Sequence, residues 1–133
     1  MNEPDLEVAT RILELMVLTA WADGKVEGSE ALSIQQQVMA HPLLKQVRNM
    51  AGLSKRIRGR IAEIGLETAL REVAAQVTQK ADRELAYKCC VRVMGADGDL
   101  QAEEASVLAT LQQVFELTPM EVKRLLVTAS RPF

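Results

Sequence analysis

The chain has 133 residues, a length that can bury a hydrophobic core as one domain without disulfide bonds. The formal net charge is −2 and only 3% of the residues are aromatic, so the overall charge does not select nucleic acid as a partner and the core must be aliphatic. No apolar run reaches the roughly 18–20 residues of a membrane span, and the acidic stretch from Met1 to Glu7 lacks the basic region of a secretory signal. Because Cys89 and Cys90 are adjacent and form no disulfide framework, we expect a cytoplasmic protein.

Apolar residues recur at spacings of three and four along the chain, as in the stripe from Leu6 to Ala20, a pattern typical of helices with one buried face. β-branched residues never alternate over a bounded run, so we predict no strand. We predict helices over about residues 5–24, 28–40, 42–50, 55–64, 66–77, 80–95, 105–117 and 119–130. The expected fold is therefore all-α, a compact single domain of about six to eight helices over residues 1–133.

Turn and capping residues set the expected helix ends. Gly65 is suited to the left-handed position after a helix, and His41-Pro42 ends the second helix because proline cannot continue one. Gly52 and Ser54 are expected to mark a turn, with Ser54 as the N-cap of the next helix. The clearest start is Thr118-Pro119-Met120-Glu121, which fits a capping box with proline at the first helical position.

One pattern, A-D-G-x-[V/L]-x-x-x-E, occurs twice in the chain, at residues 22–30 and 96–104, with an offset of 74 residues. Each copy follows an apolar segment and precedes an amphipathic one, so we predict a helix–turn–helix unit that is used twice. The first related half would cover about residues 5–50 and the second about residues 66–130.

The two acidic turns partly resemble the second half of an EF-hand loop. Asp23 and Glu30 fall at the spacing of positions 5 and 12 of that loop, and so do Asp97 and Glu104. Positions 1 and 3 hold no carboxylate in either copy, so neither turn is an EF-hand.

Two interpretations of these acids remain open. In the first, Glu30 and Glu104 occupy the N3 position and reach back to the N-cap amide, while the aspartates cap amides of the turn. In the second, a cation compensates Asp23 and Asp97, which lie at helix C-termini where the helix dipole disfavours anions. Carboxylate oxygens suit hard ions such as Ca²⁺ or Mg²⁺.

The doubled motif, in an all-α chain of this length, resembles the tellurite-resistance TerB family, and the resemblance extends from Leu6 to about Ala129. The resemblance implies a helical module of two related halves that holds a divalent cation at its acidic turns. It also implies a role in tellurite, metal or phage stress-response complexes rather than catalysis. The metal ligands implied by position are Asp23, Glu30, Asp97 and Glu104, with Asp99 and Glu103 as additional candidates by proximity. Lys25 would repel a cation, so we expect the second turn to be the stronger site or the two turns to share one ion.

The segment from Ala31 to Ala62 contains no acidic residue but six basic ones. These residues are Lys45, Arg48, Lys55, Arg56, Arg58 and Arg60. One interpretation is that these six residues form a solvent-exposed surface without a specific partner. The alternative function is a structural scaffold without metal, whose acidic turns are helix caps and whose basic face docks an acidic protein, an anionic membrane or nucleic acid. Without interleaved aromatics base stacking is unsupported, whereas protein partners or a homo-oligomer would suit such charge segregation.

Catalysis is not expected. No Walker loop, dinucleotide fingerprint or nucleophile elbow is present in the sequence. His41 is the sole histidine and has no Cys or His partner at ligand spacing. Cys89 and Cys90 could bind soft elements as thiolates, but cysteine on a helix is commonly a small buried residue.

Overall fold

The computed structural model describes residues 3–22, 28–47, 50–94 and 102–129, except for the side chains of residues 3, 4, 29, 30 and 50. These described ranges contain seven α-helices, one short 3₁₀ helix at Leu44–Gln46 and no strand, so the all-α prediction is confirmed for them. The α-helices are α1 (Glu3–Ala20), α2 (Gly28–Ala40), α3 (Met50–Ile64), α4 (Leu66–Ala75), α5 (Lys80–Met94), α6 (Ala102–Val114) and α7 (Pro119–Ala129). None of these helices combines the length and hydrophobicity that crossing a bilayer requires.

The first helix forms the centre of the packing. Every residue from Ile12 to Ala20 is buried, and α1 contacts α2, α3, α4 and α5. A helix that is buried on all sides must be surrounded by other helices, whereas the remaining helices bury one stripe each. Around α1 the core is filled by aliphatic side chains together with Tyr87, Cys89 and Cys90 of α5.

The helices that precede the two acidic turns pack against each other. These helices are α1 and α5, and α5 also contacts α2, α6 and α7. A polar link joins α2 to α5, because the buried Gln37 amide donates hydrogen bonds to the Cys89 carbonyl at 3.2 Å and to the Ser33 hydroxyl at 3.3 Å. The division of the chain into two related halves stays a prediction.

The prediction for residues 42–50 and for the start of α3 was wrong. Among the described residues 43–47 only the three-residue 3₁₀ helix forms, and α3 begins at Met50 rather than after Ser54. Leu53 and Ile57 are both buried, with 3% and 1% exposure, so an apolar stripe continues one turn earlier than the turn signals suggested. Glycine inside a helix costs about 1 kcal/mol, and burial of one leucine side chain contributes about 1.5–3 kcal/mol. Packing of Leu53 therefore offsets the helix-breaking tendency of Gly52.

The end of α6 also differs from the prediction, which extended this helix to Leu117. The helix ends at Val114, and Glu116 adopts a φ of 57°, the left-handed conformation. The Leu117 amide donates to the Gln112 carbonyl at 3.0 Å and the Glu116 amide donates to the Gln113 carbonyl at 3.2 Å. These two bonds form a Schellman motif, in which glycine is the usual residue at the left-handed position. Because Glu116 stands where glycine is usual, the sequence did not indicate this helix end.

The capping box at the start of α7 is confirmed. The Thr118 amide donates to Glu121 Oε1 at 2.9 Å, and the Glu121 amide donates to Thr118 Oγ1 at 3.1 Å. The Glu121 carboxylate also pairs with Lys80. These contacts, with the Lys80 ammonium as the largest cause, lower the pKa of Glu121 to about 2.

The burial predicted for the stripe from Leu6 to Ala20 was wrong at Leu6, and Leu126 of α7 is exposed to a similar extent. Leu6 exposes 43% of its surface and Leu126 exposes 42%. Both lie near the end of a helix, where no neighbouring helix covers the stripe in the described part of the chain. The remaining members of the stripe predicted for α1 are buried.

Candidate functional site

A cavity of about 370 Å³ lies where the end of α1 meets the first turns of α4 and α6. We call it the turn cavity. Its lining residues are Ala22, Leu66, Glu67, Leu70, Ala102, Glu103, Ser106, Val107 and Thr110. Ala22 is the first residue of the first copy of the repeated motif, and Ala102 and Glu103 belong to the second copy. Residues from both copies of the motif therefore meet at one cavity.

The predicted metal ligands divide into described and undescribed residues. Asp23, Asp97 and Asp99 lie outside the described residues, and so does the side chain of Glu30. The predicted ligands whose side chains the structure describes are Glu103 and Glu104, the second and third residues of α6. Glu103 is exposed and lines the turn cavity, whereas Glu104 is buried with 2% exposure. The two neighbouring acids are therefore not equivalent.

Glu67 lines the same cavity and was not predicted from the sequence. It lies in the first turn of α4, which starts after Gly65 with its φ of 87°. Its carboxylate lies 3.5 Å from Arg71 and its side chain is 71% exposed. An acid in the first helical turn is a weak sequence signal, because helix N-termini favour acids in any context. Only the tertiary arrangement brings Glu67 near Glu103.

The chemistry of the turn cavity suits a hard cation. Its described lining supplies the carboxylates of Glu67 and Glu103 and the hydroxyls of Ser106 and Thr110, and Ca²⁺ and Mg²⁺ prefer oxygen ligands of this kind. Within the described ranges, no three His, Cys, Asp or Glu side chains come together as a metal-binding group. The described part of the lining is thus compatible with a cation but supplies only some of the ligands that a Ca²⁺ ion takes.

Of the six basic residues predicted as a docking surface, those on α3 lie on more than one side of the helix. Arg56 and Arg60 face α1 and α4, whereas Arg58 lines a different cavity beside Trp21. Lys45 and Lys55 are exposed, and Arg48 lies outside the described residues. The spacing of four residues between Arg56 and Arg60 places them on one helix face, and Arg58 must then point away from them.

Arg56 and Arg60 belong to a cavity of about 380 Å³ between α1, α3 and α4, which we call the arginine cavity. Its lining residues are Arg11, Glu14, Arg56, Ile57, Arg60, Ala69, Val73 and Gln76. The Glu14 side chain is only 5% exposed, and its carboxylate pairs with Arg11 on the same helix and with Arg56 at 3.4 Å. Arg60 pairs with Glu72 of α4, and both side chains are about half exposed.

The two cysteines are buried thiols. Burial is the largest cause that raises the pKa of Cys89 and of Cys90 to about 12, and the smaller effects of Arg92 on Cys89 and of the Thr19 hydroxyl on Cys90 oppose it. A thiol nucleophile or metal ligand must be deprotonated. This arrangement favours the interpretation of both cysteines as small core residues over thiol chemistry.

His41 stabilises the turn after α2. Its Nδ1 atom accepts a hydrogen bond of 3.2 Å from the Leu43 amide, which requires the imidazole to be unprotonated at that nitrogen. Burial, and then the charge of Lys88, lower the pKa of His41. The histidine is therefore held neutral in a structural role, as its position before Pro42 suggested.

Comparison with protein-family models matches residues 9–127 to the family described as tellurite resistance protein TerB. Searches of curated proteins and of solved structures find no match. The matched segment includes both acidic turns, the helices that meet at the turn cavity and nearly all of α7. Because the match spans most of the chain, this protein belongs to the TerB family.

Proposed function

We propose that this TerB-family chain is a non-catalytic cytoplasmic module that binds a divalent cation, Ca²⁺ or Mg²⁺, between its two acidic turns. The ligands would come from Asp23, Glu30, Asp97, Asp99, Glu103 and Glu104. In this proposal the loaded module acts within a protein complex of the stress response to tellurite, other metals or phage.

One observation carries the proposal. Ala22 and Glu103, which belong to different copies of the repeated motif, line the same cavity. Asp23 directly follows Ala22 in the sequence. Acids that are 74 residues apart in sequence can then act on one ion, which supports a shared site over two separate sites.

Charge gives a second argument for a cation. The turn cavity is bordered by Glu67 and Glu103, and among the described residues only Glu67 has a cationic partner, Arg71 at 3.5 Å. Two acidic residues at one cavity favour a positively charged ligand there over an anionic one. Ca²⁺ takes six to eight oxygen ligands, so carboxylates from both turns would be needed in addition to Glu103.

The test uses Trp21, the only tryptophan, which lies at the end of α1 next to Ala22. Tb³⁺ is titrated into the protein while Trp21 is excited, and Ca²⁺ and Mg²⁺ are then added as competitors. Glu103→Gln and Asp97→Asn should weaken Tb³⁺ binding roughly tenfold each, the effect of one lost contact of about 1.4 kcal/mol. Glu116→Gln is the matched control, because it removes one exposed carboxylate just beyond the opposite end of α6.

Thermal unfolding gives an independent readout. A cation at one hundred times its dissociation constant raises the unfolding free energy by about 2.7 kcal/mol, so chelator should lower the melting temperature of the wild type. Equal Tb³⁺ emission from the Glu103 and Glu116 variants, together with a melting temperature that is indifferent to chelator, overturns the proposal. The acids would then be helix caps.

A second candidate function is partner docking through the basic residues of α3. The exposure of Lys55, Arg56 and Arg58 on one short segment favours it. Charge reversal of Lys55 and Arg58 leaves the ion pair of Arg56 with Glu14 intact, so the fold should persist. If the charge-reversed variant captures the same partners in a pull-down and elutes from gel filtration at the same volume as the wild type, partner docking and self-association through these residues are excluded.

A further inference from the structure

The arginine cavity holds more positive charge than its structural role explains. Glu14 is a buried carboxylate and needs a cationic partner, because an isolated buried charge is costly. One arginine would be enough, yet both Arg11 and Arg56 approach this carboxylate, and Arg60 lines the cavity as a third. The lining thus carries three guanidinium groups against one carboxylate.

The three arginines also have hydrogen-bond donors that an anionic ligand could use. The buried Arg11 Nε finds no hydrogen-bond acceptor among the described residues. Arg56 contacts Glu14 at 3.4 Å, a long ion pair, and its side chain is 56% exposed. Arg60 is held by Glu72 at the rim, where both side chains can rotate into solvent. Exposed pairs of this kind are worth only about 0–1 kcal/mol, so an anionic ligand can replace them.

The size and the floor of the cavity define the class of ligand. A volume of about 380 Å³ falls in the range of small-molecule sites, about 300–1,000 Å³, and exceeds what a bare oxyanion needs. Ile57, Ala69 and Val73 form the apolar part of the lining. Arginine binds phosphate through paired N–H groups, and a phosphate monoester carries a charge of about −1.5 to −2 at neutral pH.

We propose that the arginine cavity binds a small organic phosphate monoester. The phosphate group would contact Arg11, Arg56 and Arg60, the Gln76 amide would add a neutral donor, and the organic group would pack on Ile57. This site is separate from the turn cavity, and the proposal does not depend on cation binding there.

The experiment is isothermal titration calorimetry of the full chain with phenyl phosphate, in a buffer without phosphate. Phenol and inorganic phosphate are titrated separately, because they carry only the apolar or only the anionic half of the probe. Arg60→Gln removes a proposed contact, and Arg58→Gln is its matched control, since both are exposed arginines of α3 that face different cavities.

A gain-of-binding variant sharpens the test. Glu72→Gln should tighten phenyl phosphate binding, because it releases Arg60 from its ion pair. Glu116→Gln removes the same charge far along the chain, just after α6, and controls for the change in net charge. Both variants change exposed side chains, so neither should prevent folding.

The proposal expects wild-type binding of phenyl phosphate that is stronger than that of phenol or inorganic phosphate. Arg60→Gln should weaken it roughly tenfold, the effect of one charge-assisted contact, while Arg58→Gln leaves it within about twofold. The absence of wild-type heat at millimolar probe overturns the proposal. Equal losses in the two arginine variants also overturn it, because they would indicate diffuse attraction to net charge. Binding of inorganic phosphate as strong as that of phenyl phosphate would overturn the assignment of an organic ester.

Discussion

Substitution of Glu14 by glutamine tests how the centre of the arginine cavity is held together. The variant keeps the side-chain volume but removes the charge that Arg11 and Arg56 share, and it leaves one acceptor oxygen where the carboxylate has two. A hydrogen bond to a charged group contributes about 1.5–3 kcal/mol, which applies to the close contact with Arg11. The contact with Arg56 is long and solvent-exposed, so it adds about 0–1 kcal/mol.

Two effects reduce the cost of this substitution. The neutral amide still accepts a hydrogen bond worth about 1 kcal/mol, and the amide loses less hydration on burial than the carboxylate does. Both arginines reach solvent, so the variant does not leave a fully buried uncompensated charge. We therefore expect Glu14→Gln to lower the unfolding free energy by about 1–2 kcal/mol.

Urea denaturation at neutral pH measures this difference, with Glu7→Gln as the control because Glu7 is an exposed carboxylate of the same helix. The control should change stability by less than about 0.5 kcal/mol, and the slope against urea should stay constant in both variants. A double-mutant cycle with Arg11→Gln should give a coupling energy of about 1 kcal/mol. A Glu14→Gln variant as stable as the control, or more stable, would refute the reasoning. The free-energy cost of desolvating the carboxylate would then equal or exceed the stabilisation from its ion pairs.

Three further predictions concern the capping box, the histidine and the thiols. Thr118→Ala should lower stability by about 1 kcal/mol, measured by urea denaturation against Thr118→Ser, which keeps the hydroxyl. Burial, and then Lys88, lower the pKa of His41 in the folded protein, so the unfolded chain binds more protons. The stability is therefore complete above the unfolded pKa near 6.5 and falls as the pH drops below it. His41→Asn should remove this dependence between pH 5 and 8, and an unchanged pH profile of stability would exclude His41 as its source. Cys89 and Cys90, with pKa values of about 12, should not react with a thiol reagent at pH 8 until the protein is unfolded, and fast labelling of the native state would contradict their burial.

Local sequence signals predicted those helix ends where a single residue type decides the backbone geometry. The capping box at Thr118 and the stop at Gly65 are examples, and α2 has the predicted bounds Gly28–Ala40. The signals failed where packing decided instead. The start of α3 was misplaced because burial of Leu53 outweighs the turn tendency of Gly52, and burial depends on residues that are distant in sequence.

The same difference explains which parts of the two cavities could be predicted. The repeated motif identified the acidic turns, but Glu67 joins the turn cavity only through the packing of α4 against α6. A sequence signal for the arginine cavity did exist, because Glu14 interrupts the apolar stretch of α1 and a charge in such a stretch needs a partner. Its partner Arg56 lies 42 residues away, and no local pattern indicates that pairing.

The two proposed sites can succeed or fail independently, because different helices supply their decisive side chains. Glu103 on α6 belongs to the turn cavity, whereas Arg60 on α3 belongs to the arginine cavity. Arg60 and Glu103 are both exposed, so water and salt screen the charge of each from the other site. Arg60→Gln should therefore leave Tb³⁺ binding unchanged, and Glu103→Gln should leave phenyl phosphate binding unchanged. A loss of both ligands in either variant would indicate instead that the substitution disturbs the packing of α4, which lines both cavities.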